Sequence, residues 1–294
     1  MAPTHMTLLR AEQRAQGRPL VVAHRGHFGG NVVQNTLPAF KNALKQGADI
    51  LEIDLIAARD GEFYCFHDGY EKAMFNFDGD LRQLTSAEID QLPTYNAVGQ
   101  VSGYGATRFF DIADSLLEEA FINLDRCWDE LELLLPRLTR LKLMQKILIK
   151  TPVEDRFLSQ IAELAPEIPY MPILKNIQEF RIVESYGLNT QAVELIVPTP
   201  DHELLQAEIL QEFRETDLLL FANAIDLGEK YNLSAGYTDT GAILEGEEVH
   251  WGKLIDLGFM LIQTDWPLLL RQFIDRRYGV DPSPLHRVQK TLTD

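Results

Sequence analysis

The chain has 294 residues, 46% of them hydrophobic, with 44 Asp and Glu against 27 Lys and Arg for a formal charge of −17. That length suits one large domain or two ordinary ones with a substantial buried core, which excludes a disordered chain and the small disulfide-stapled class. The acid excess argues against nucleic acid or a membrane surface as partner, because nothing along the chain would neutralise a row of phosphates.

Residues 1–19 read as an N-terminal extension, with no apolar run of the kind a secretory signal carries. No later run is long enough to span a bilayer. Cys65 and Cys127 lie in apolar surroundings and are too few for a disulfide framework, so a reduced, cytoplasmic setting is expected. From residue 20 onward eight short apolar runs recur, at 20–24, 50–56, 120–125, 146–150, 170–174, 192–197, 218–222 and 259–264. Between them, segments such as LPAFKNALKQG, VEDRFLSQIAELA, IQEFRIVESYG and DHELLQAEILQEF place apolar residues at i, i+3, i+4 and i+7, the mark of a helix covering a sheet. Short strands alternating with such helices imply parallel pairing through crossovers. Eight units predict an α/β fold of the (β/α)8 barrel type over residues 20–278. The rival open doubly wound sheet is weakened because no glycine-rich dinucleotide loop follows the first strand.

Two connections exceed this repeat. An insertion after the second strand, about 69–110, is polar and loop-like except for LTSAEIDQL, which opens on a capping signal at Thr85 or Ser86 with Glu88. The other, 227–249, is rich in Gly, Glu, Asp and Thr. Both are candidate substrate walls, and a merely tolerated insertion explains the second equally well. Residues 279–294 read as a C-terminal tail.

In a barrel the chemistry sits at the C-terminal ends of the strands. The first strand ends in His24-Arg25-Gly26. The second carries Glu52 and Asp54, which at i and i+2 point to one side. A further β-run, EFYCF, ends in His67-Asp68. The third and fourth barrel strands end in Asp125 and Lys150. A single strand-end histidine is ordinarily a hydrogen-bonded structural residue, Asp125 alone could cap a helix starting at Cys127, and a strand-end lysine is ordinarily a surface group. The Glu52–Asp54 pair says more, since two carboxylates on one face of an apolar strand repel each other unless a cation sits between them. A hard divalent cation with oxygen ligands would relieve that repulsion, with Asp125 as a third carboxylate. Glu194 in AVELIV and Asn223 in LLLFANA occupy comparable barrel-mouth positions, with structural hydrogen bonding as the simpler reading.

These residues resemble the glycerophosphodiester phosphodiesterase family. The resemblance rests on His24-Arg25-Gly26, Gln34-Asn35-Thr36, Gly47-Ala48-Asp49-Ile50-Leu51-Glu52-Ile53-Asp54, Asp60-Gly61 and His67-Asp68. The segment Leu84-Thr85-Ser86-Ala87-Glu88-Ile89 and the closing Gly258 to Thr264-Asp265-Trp266-Pro267 are also similar to that family. The resemblance implies a barrel that hydrolyses a small phosphodiester to an alcohol and a phosphomonoester such as glycerol 3-phosphate. It implies a divalent metal, Mg²⁺ or Ca²⁺, on Glu52, Asp54 and Asp125, the last replacing the glutamate usual in an E-x-K motif whose lysine is here Cys127. Lys150, in a segment similar to one found in a branch of the family, would supply the missing cation. Gln34 stands where a glutamate is usual; the resemblance implies that such a glutamate orients the neighbouring arginine or coordinates the site, and Gln34 removes its negative charge.

Arg25 and Lys150 are thus expected to hold the phosphate, with His24 as general base and His67 as general acid. Two imidazoles on opposite sides of phosphorus can divide those tasks, and a neighbouring hydroxyl of the substrate can serve as the first nucleophile. Alternative readings are a sugar phosphodiester of the opine type, a lysolipid headgroup, or a silent barrel that binds a phosphate ester without turnover. Enolase-type barrels are a distant further choice, lacking the two histidine motifs.

Overall fold

The computed structural model describes residues 7–216, 218–228 and 231–280, so most of the expected tail and the first six residues lie outside the described residues. Nine strands follow in chain order: β1 (Leu20–Ala23), β2 (Ile50–Ala57), β3 (Phe63–Cys65), β4 (Phe121–Asp125), β5 (Ile147–Pro152), β6 (Tyr170–Leu174), β7 (Ala192–Leu195), β8 (Leu219–Asn223) and β9 (Phe259–Thr264). Eight of them run parallel in the order β1-β9-β8-β7-β6-β5-β4-β2, and β1 pairs back onto β2 with Val22 opposite Ile50. That pairing closes the (β/α)8 barrel. β3 lies outside the ring, antiparallel to the end of β2.

Strand alternation sorts the side chains. Leu20, Val22, Ile50, Phe121, Leu148, Met171, Ala192, Leu219, Phe221 and Leu261 form one cluster inside the barrel. The residues between them, such as Val21, Leu51 and Ile53, pack outward into clusters shared with the helices. The inward positions that continue β1, β2, β4, β5, β7 and β8 are His24, Glu52 and Asp54, Asp125, Lys150, Glu194 and Asn223. The barrel is therefore apolar at its floor and polar at its mouth, which is the reason the period of two carries functional information here.

The N-terminal extension contains a helix, Leu8–Gln16, that its short sequence signal did not announce. Thr7 caps it by accepting the Arg10 N–H at 3.2 Å, and Gly17 ends it at φ 64°. Leu9, 2% exposed, joins the interior cluster and seals the floor. The insertion after β2 is also more ordered than its composition suggested. It adds helix Glu71–Phe75 and a turn at Leu81–Gln83 to helix Ser86–Ile89, which Thr85 and Glu88 cap reciprocally. Met74, Phe75, Leu81 and Ile89 pack with Ile56, Tyr64 and Phe66 as a small core of their own. The segment DHELLQAEILQEF is broken rather than one helix: a turn at Glu203–Leu205 precedes helix Ala207–Glu215, with His202 Nδ1 accepting the Leu204 N–H.

Two buried charges fasten the last helix and the connection after β8 to the barrel. Arg271, on the last helix (Pro267–Tyr278), is 3% exposed, donates from Nε to the Gly47 carbonyl at 3.0 Å and pairs with Asp49. Asp49 also accepts the Val21 N–H at 2.7 Å, so one carboxylate ties the last helix to the β1–β2 junction. Asp239, in the long connection after β8, accepts from Trp251 Nε1 at 2.8 Å, Thr264 Oγ1 at 2.9 Å and the Asp265 N–H at 2.8 Å. It staples that connection to the end of β9. Burial pushes its carboxyl up to about 7, against the pull of its donors.

Replacing Arg271 with Met removes the close cation partner of half-buried Asp49 and should cost roughly 1–3 kcal/mol in urea unfolding, less than the range for a fully buried pair because Gln16 and the Val21 N–H still donate to the carboxylate. A loss below about 0.5 kcal/mol would show that the clamp is dispensable. Because folding raises the Asp239 pKa above its ordinary value of 3.8, this group stabilises the fold fully below that value, and the contribution is lost as pH rises to about 7. Wild type should accordingly lose stability relative to Asp239→Asn between about pH 4 and 7. Parallel stability curves for the two proteins would refute the assignment.

Candidate active site

Beyond Ala23 the chain turns sharply through Arg25 at φ 55° and Gly26 at φ 76°. A Cβ at Gly26 would lie 2.7 Å from the Ala39 carbonyl carbon, so only glycine lets helix Leu37–Lys45 approach this turn. The turn aims the Arg25 main-chain N–H at Glu52 Oε2, 2.9 Å away. The guanidinium is buried. Its Nη1 donates to Gln34 Oε1 at 2.8 Å, its Nε lies 3.0 Å from Asp54 Oδ2, and its plane lies over Tyr70. Burial alone would lower its pKa, but the Asp54 and Glu52 charges outweigh that and hold it raised. Asn35, also left-handed and fully buried, donates to Asp54 Oδ2 at 2.8 Å.

Glu52 and Asp54 both project inward from β2, and Asp54 is in register with Asp125 on β4. One carboxylate oxygen from each of Glu52, Asp54 and Asp125 lies within 4.8 Å of the others. Burial, followed by the charges of Asp54 and Asp125, pushes the Glu52 carboxyl well up. Three crowded carboxylates with only oxygen donors suit a hard divalent cation, and these are the residues that could hold one. Asp125 does not cap a helix at Cys127. A short turn starts at Trp128 instead, while the carboxylate accepts the Arg126 N–H at 2.7 Å and faces Lys150 Nζ at 2.5 Å.

Lys150 is not a surface strand end. β5 continues to Pro152, and Lys150 lies inside the barrel at 2% exposure. Its ammonium also sits 3.1 Å from Glu194 Oε2, whose other oxygen accepts from Asn223 Nδ2 at 2.7 Å. Burial would lower the Lys150 pKa, but Asp125 and Glu194 outweigh it and keep the cation.

The two histidines are held differently. His24 Nδ1 lies 2.8 Å from Asp265 Oδ1. An ionised carboxylate can only accept, so the Nδ1 proton points to Asp265 and the Nε2 lone pair is left for the mouth. His67 Nδ1 lies 2.6 Å from the Asp68 carbonyl, which fixes the same tautomer. Burial lowers the His67 pKa, with Asp54 opposing. Asp68 in turn accepts from Arg126 Nε at 2.7 Å.

A mouth of about 310 Å³ is lined by His24, Arg25, Glu52, Asp54, His67, Asp125, Lys150, Glu194 and Asn223 together. Gln34 is the one sequence candidate that does not line it, and it touches the site through Arg25. Sequence reasoning passed over Asn35 and Asp265 as site residues although both stand within the quoted motifs. It had no signal for Tyr70 or Arg126, which are placed by the folding of the insertion and of the turn after β4.

The comparisons with known proteins follow this geometry. A model described as the glycerophosphoryl diester phosphodiesterase family matches residues 24–155, and one for a domain of unknown function matches residues 170–274. A glycerophosphodiester phosphodiesterase of Caldanaerobacter subterraneus is 39% identical over 75 residues, 26% of this chain and 30% of that protein. Among the first relatives such matches span 24% to 30% of their length, so they compare only a segment of each. A lysophospholipase D of Homo sapiens is 25% identical over 91% of this chain and 90% of that protein. The crystal structure of a glycerophosphoryl diester phosphodiesterase from Parabacteroides distasonis superposes with a TM-score of 0.73 at 18% identity, covering 90% of this chain and 89% of its own. By these matches residues 24–155, from the first strand-end motif onward, are similar to the glycerophosphoryl diester phosphodiesterase family, and the barrel as a whole shares the fold of its solved structures.

Proposed function

We propose that this protein hydrolyses a phosphodiester of the glycerophosphodiester type, releasing an alcohol and a phosphomonoester such as glycerol 3-phosphate. One juxtaposition carries the reading: three carboxylates within 4.8 Å of one another share a mouth with two buried cations and two histidines. A Mg²⁺ or Ca²⁺ ion on Glu52, Asp54 and Asp125 would supply Lewis-acid charge to a non-bridging oxygen of the diester. Arg25 offers its fork, and Lys150 a point charge, against the anion that builds up on attack. Gln34 keeps Arg25 turned toward the mouth without adding charge.

His24 takes the proton of the nucleophile, either water or a neighbouring substrate hydroxyl, at Nε2. Asp265 beside Nδ1 then stabilises the imidazolium by its negative charge. His67, entering the reaction as the imidazolium with Nδ1–H held by the Asp68 carbonyl, gives its Nε2 proton to the departing alkoxide, and the proton taken up by His24 restores the pair through solvent. The free, buried thiols of Cys65 and Cys127 support a reduced, cytoplasmic setting.

Release of phosphomonoester should be measured on a panel of glycerophosphodiesters and sugar phosphodiesters with Mg²⁺, Ca²⁺ or EDTA. Turnover that EDTA abolishes is expected, and no turnover of any diester with metal demonstrably bound would replace this reading with that of a silent binding barrel. His67→Ala should lower kcat on poor alcohol leaving groups by roughly 10²–10⁴, the usual contribution of a general acid, and largely spare an activated nitrophenyl ester. Equal losses on both would reassign the acid.

A further inference from the structure

The turn after β4 joins two parts of the mouth that the strands leave separate. Arg126 directly follows Asp125 and has a left-handed backbone, φ 56°. Its main-chain N–H donates to Asp125 Oδ1 at 2.7 Å. Its side chain crosses to the segment after β3, where Nε donates to Asp68 Oδ1 at 2.7 Å. The guanidinium lies over the Trp128 ring, 5.6 Å from its centroid, and both residues line the mouth. One residue thus bonds a carboxylate of the acidic cluster through its backbone and the neighbour of His67 through its side chain.

His67 Nδ1 has two acceptors nearby, both belonging to Asp68. The main-chain carbonyl is 2.6 Å away and the carboxylate Oδ1 is 3.7 Å away. An ionised carboxylate is the stronger acceptor for a ring N–H, so the ring's choice of the carbonyl needs a reason. The reason lies on Oδ1 itself. That oxygen is the one Arg126 holds, and among the described residues no other side chain hydrogen-bonds the Asp68 carboxylate. The guanidinium offsets the charge of Asp68 and keeps Oδ1 occupied.

We infer that Arg126 is a positioning residue for the general acid: by holding Asp68 Oδ1 it keeps the His67 Nδ1–H on the Asp68 carbonyl, and so aims Nε2 at the departing oxygen. This rests on the proposed role of His67. Without the guanidinium the carboxylate competes for the Nδ1 proton, and the ring turns to follow it. Nε2, on the far side of the ring, then moves off its line to the leaving oxygen. A displacement of about 1 Å at a reacting centre can cost about 10²-fold in rate. The loss falls on the step that needs a proton, so it depends on the leaving group.

The test reads kcat of Arg126→Met on glycerophosphocholine, by choline release, and on a nitrophenyl phosphodiester, both with Mg²⁺ present. Methionine keeps a stem over Trp128 and removes the cation. kcat should fall by about tenfold or more on the first substrate and by less than about threefold on the second, which departs without a proton. Both substrates are read on one preparation, so their ratio does not depend on how much protein is folded. Adding Asp68→Asn to Arg126→Met removes the competing charge and should restore most of the loss on glycerophosphocholine. A merely structural role for Arg126 gives no such recovery. Equal losses on both substrates, no loss on either, or no recovery in the double variant would overturn the positioning role and leave the diesterase reading intact. Equal losses on both in His67→Ala would overturn the acid reading and this inference with it.

Discussion

Mutual repulsion among Glu52, Asp54 and Asp125 is the constraint around which the mouth of this barrel is organised. Three carboxylates within 4.8 Å, two of them almost fully buried, cannot all be ionised without compensating charge. Arg25, Lys150 and several of the donors nearby answer that need. Arg25 faces Asp54 through its side chain and Glu52 through its main-chain N–H, Asn35 donates to Asp54, and Lys150 meets Asp125. The same groups that offset the repulsion present positive charge to the pocket. At the mouth Glu52, Asp54, Asp125 and Glu194 outnumber Arg25 and Lys150, so an anionic ligand calls for a further cation on the carboxylates as well as these two groups.

A shell of hydrogen bonds one step out holds these groups in place. Gln34 fixes Arg25, Asn223 fixes Glu194, Asp265 fixes His24, and the Asp68 carbonyl fixes His67. Asp265 is itself anchored through its N–H by Asp239, in the connection after β8. That connection thus reaches the histidine at the start of the barrel through two carboxylates, while Leu227 and Leu233 from the same stretch line the opposite wall. A site fixed by packing and secondary hydrogen bonds loses little entropy when a ligand arrives, which is the physical value of such a shell.

Much of this was legible in the sequence because strands report their geometry locally. A period of two placed Glu52 and Asp54 on one face, and the strand-end positions of His24, Asp125 and Lys150 suggested a common mouth. The details went astray where local pattern was a poor guide. Lys150 is buried within β5 rather than ending it, since the strand continues through Thr151 and Pro152. The insertion after β2 contains a small core, built from apolar residues spaced too irregularly to show a period.

The sequence by itself determined the alternation of strands and helices, the eight-unit count and the chemistry of the strand ends, because each depends on residues near one another along the chain. Only the tertiary structure decided which of those ends meet. His24 and Asp265 are 241 residues apart, and Arg271 and Asp49 are 222 apart. Such pairs exist because β1 closes onto both β2 and β9, and ring closure is a property of the whole sheet that no local window contains.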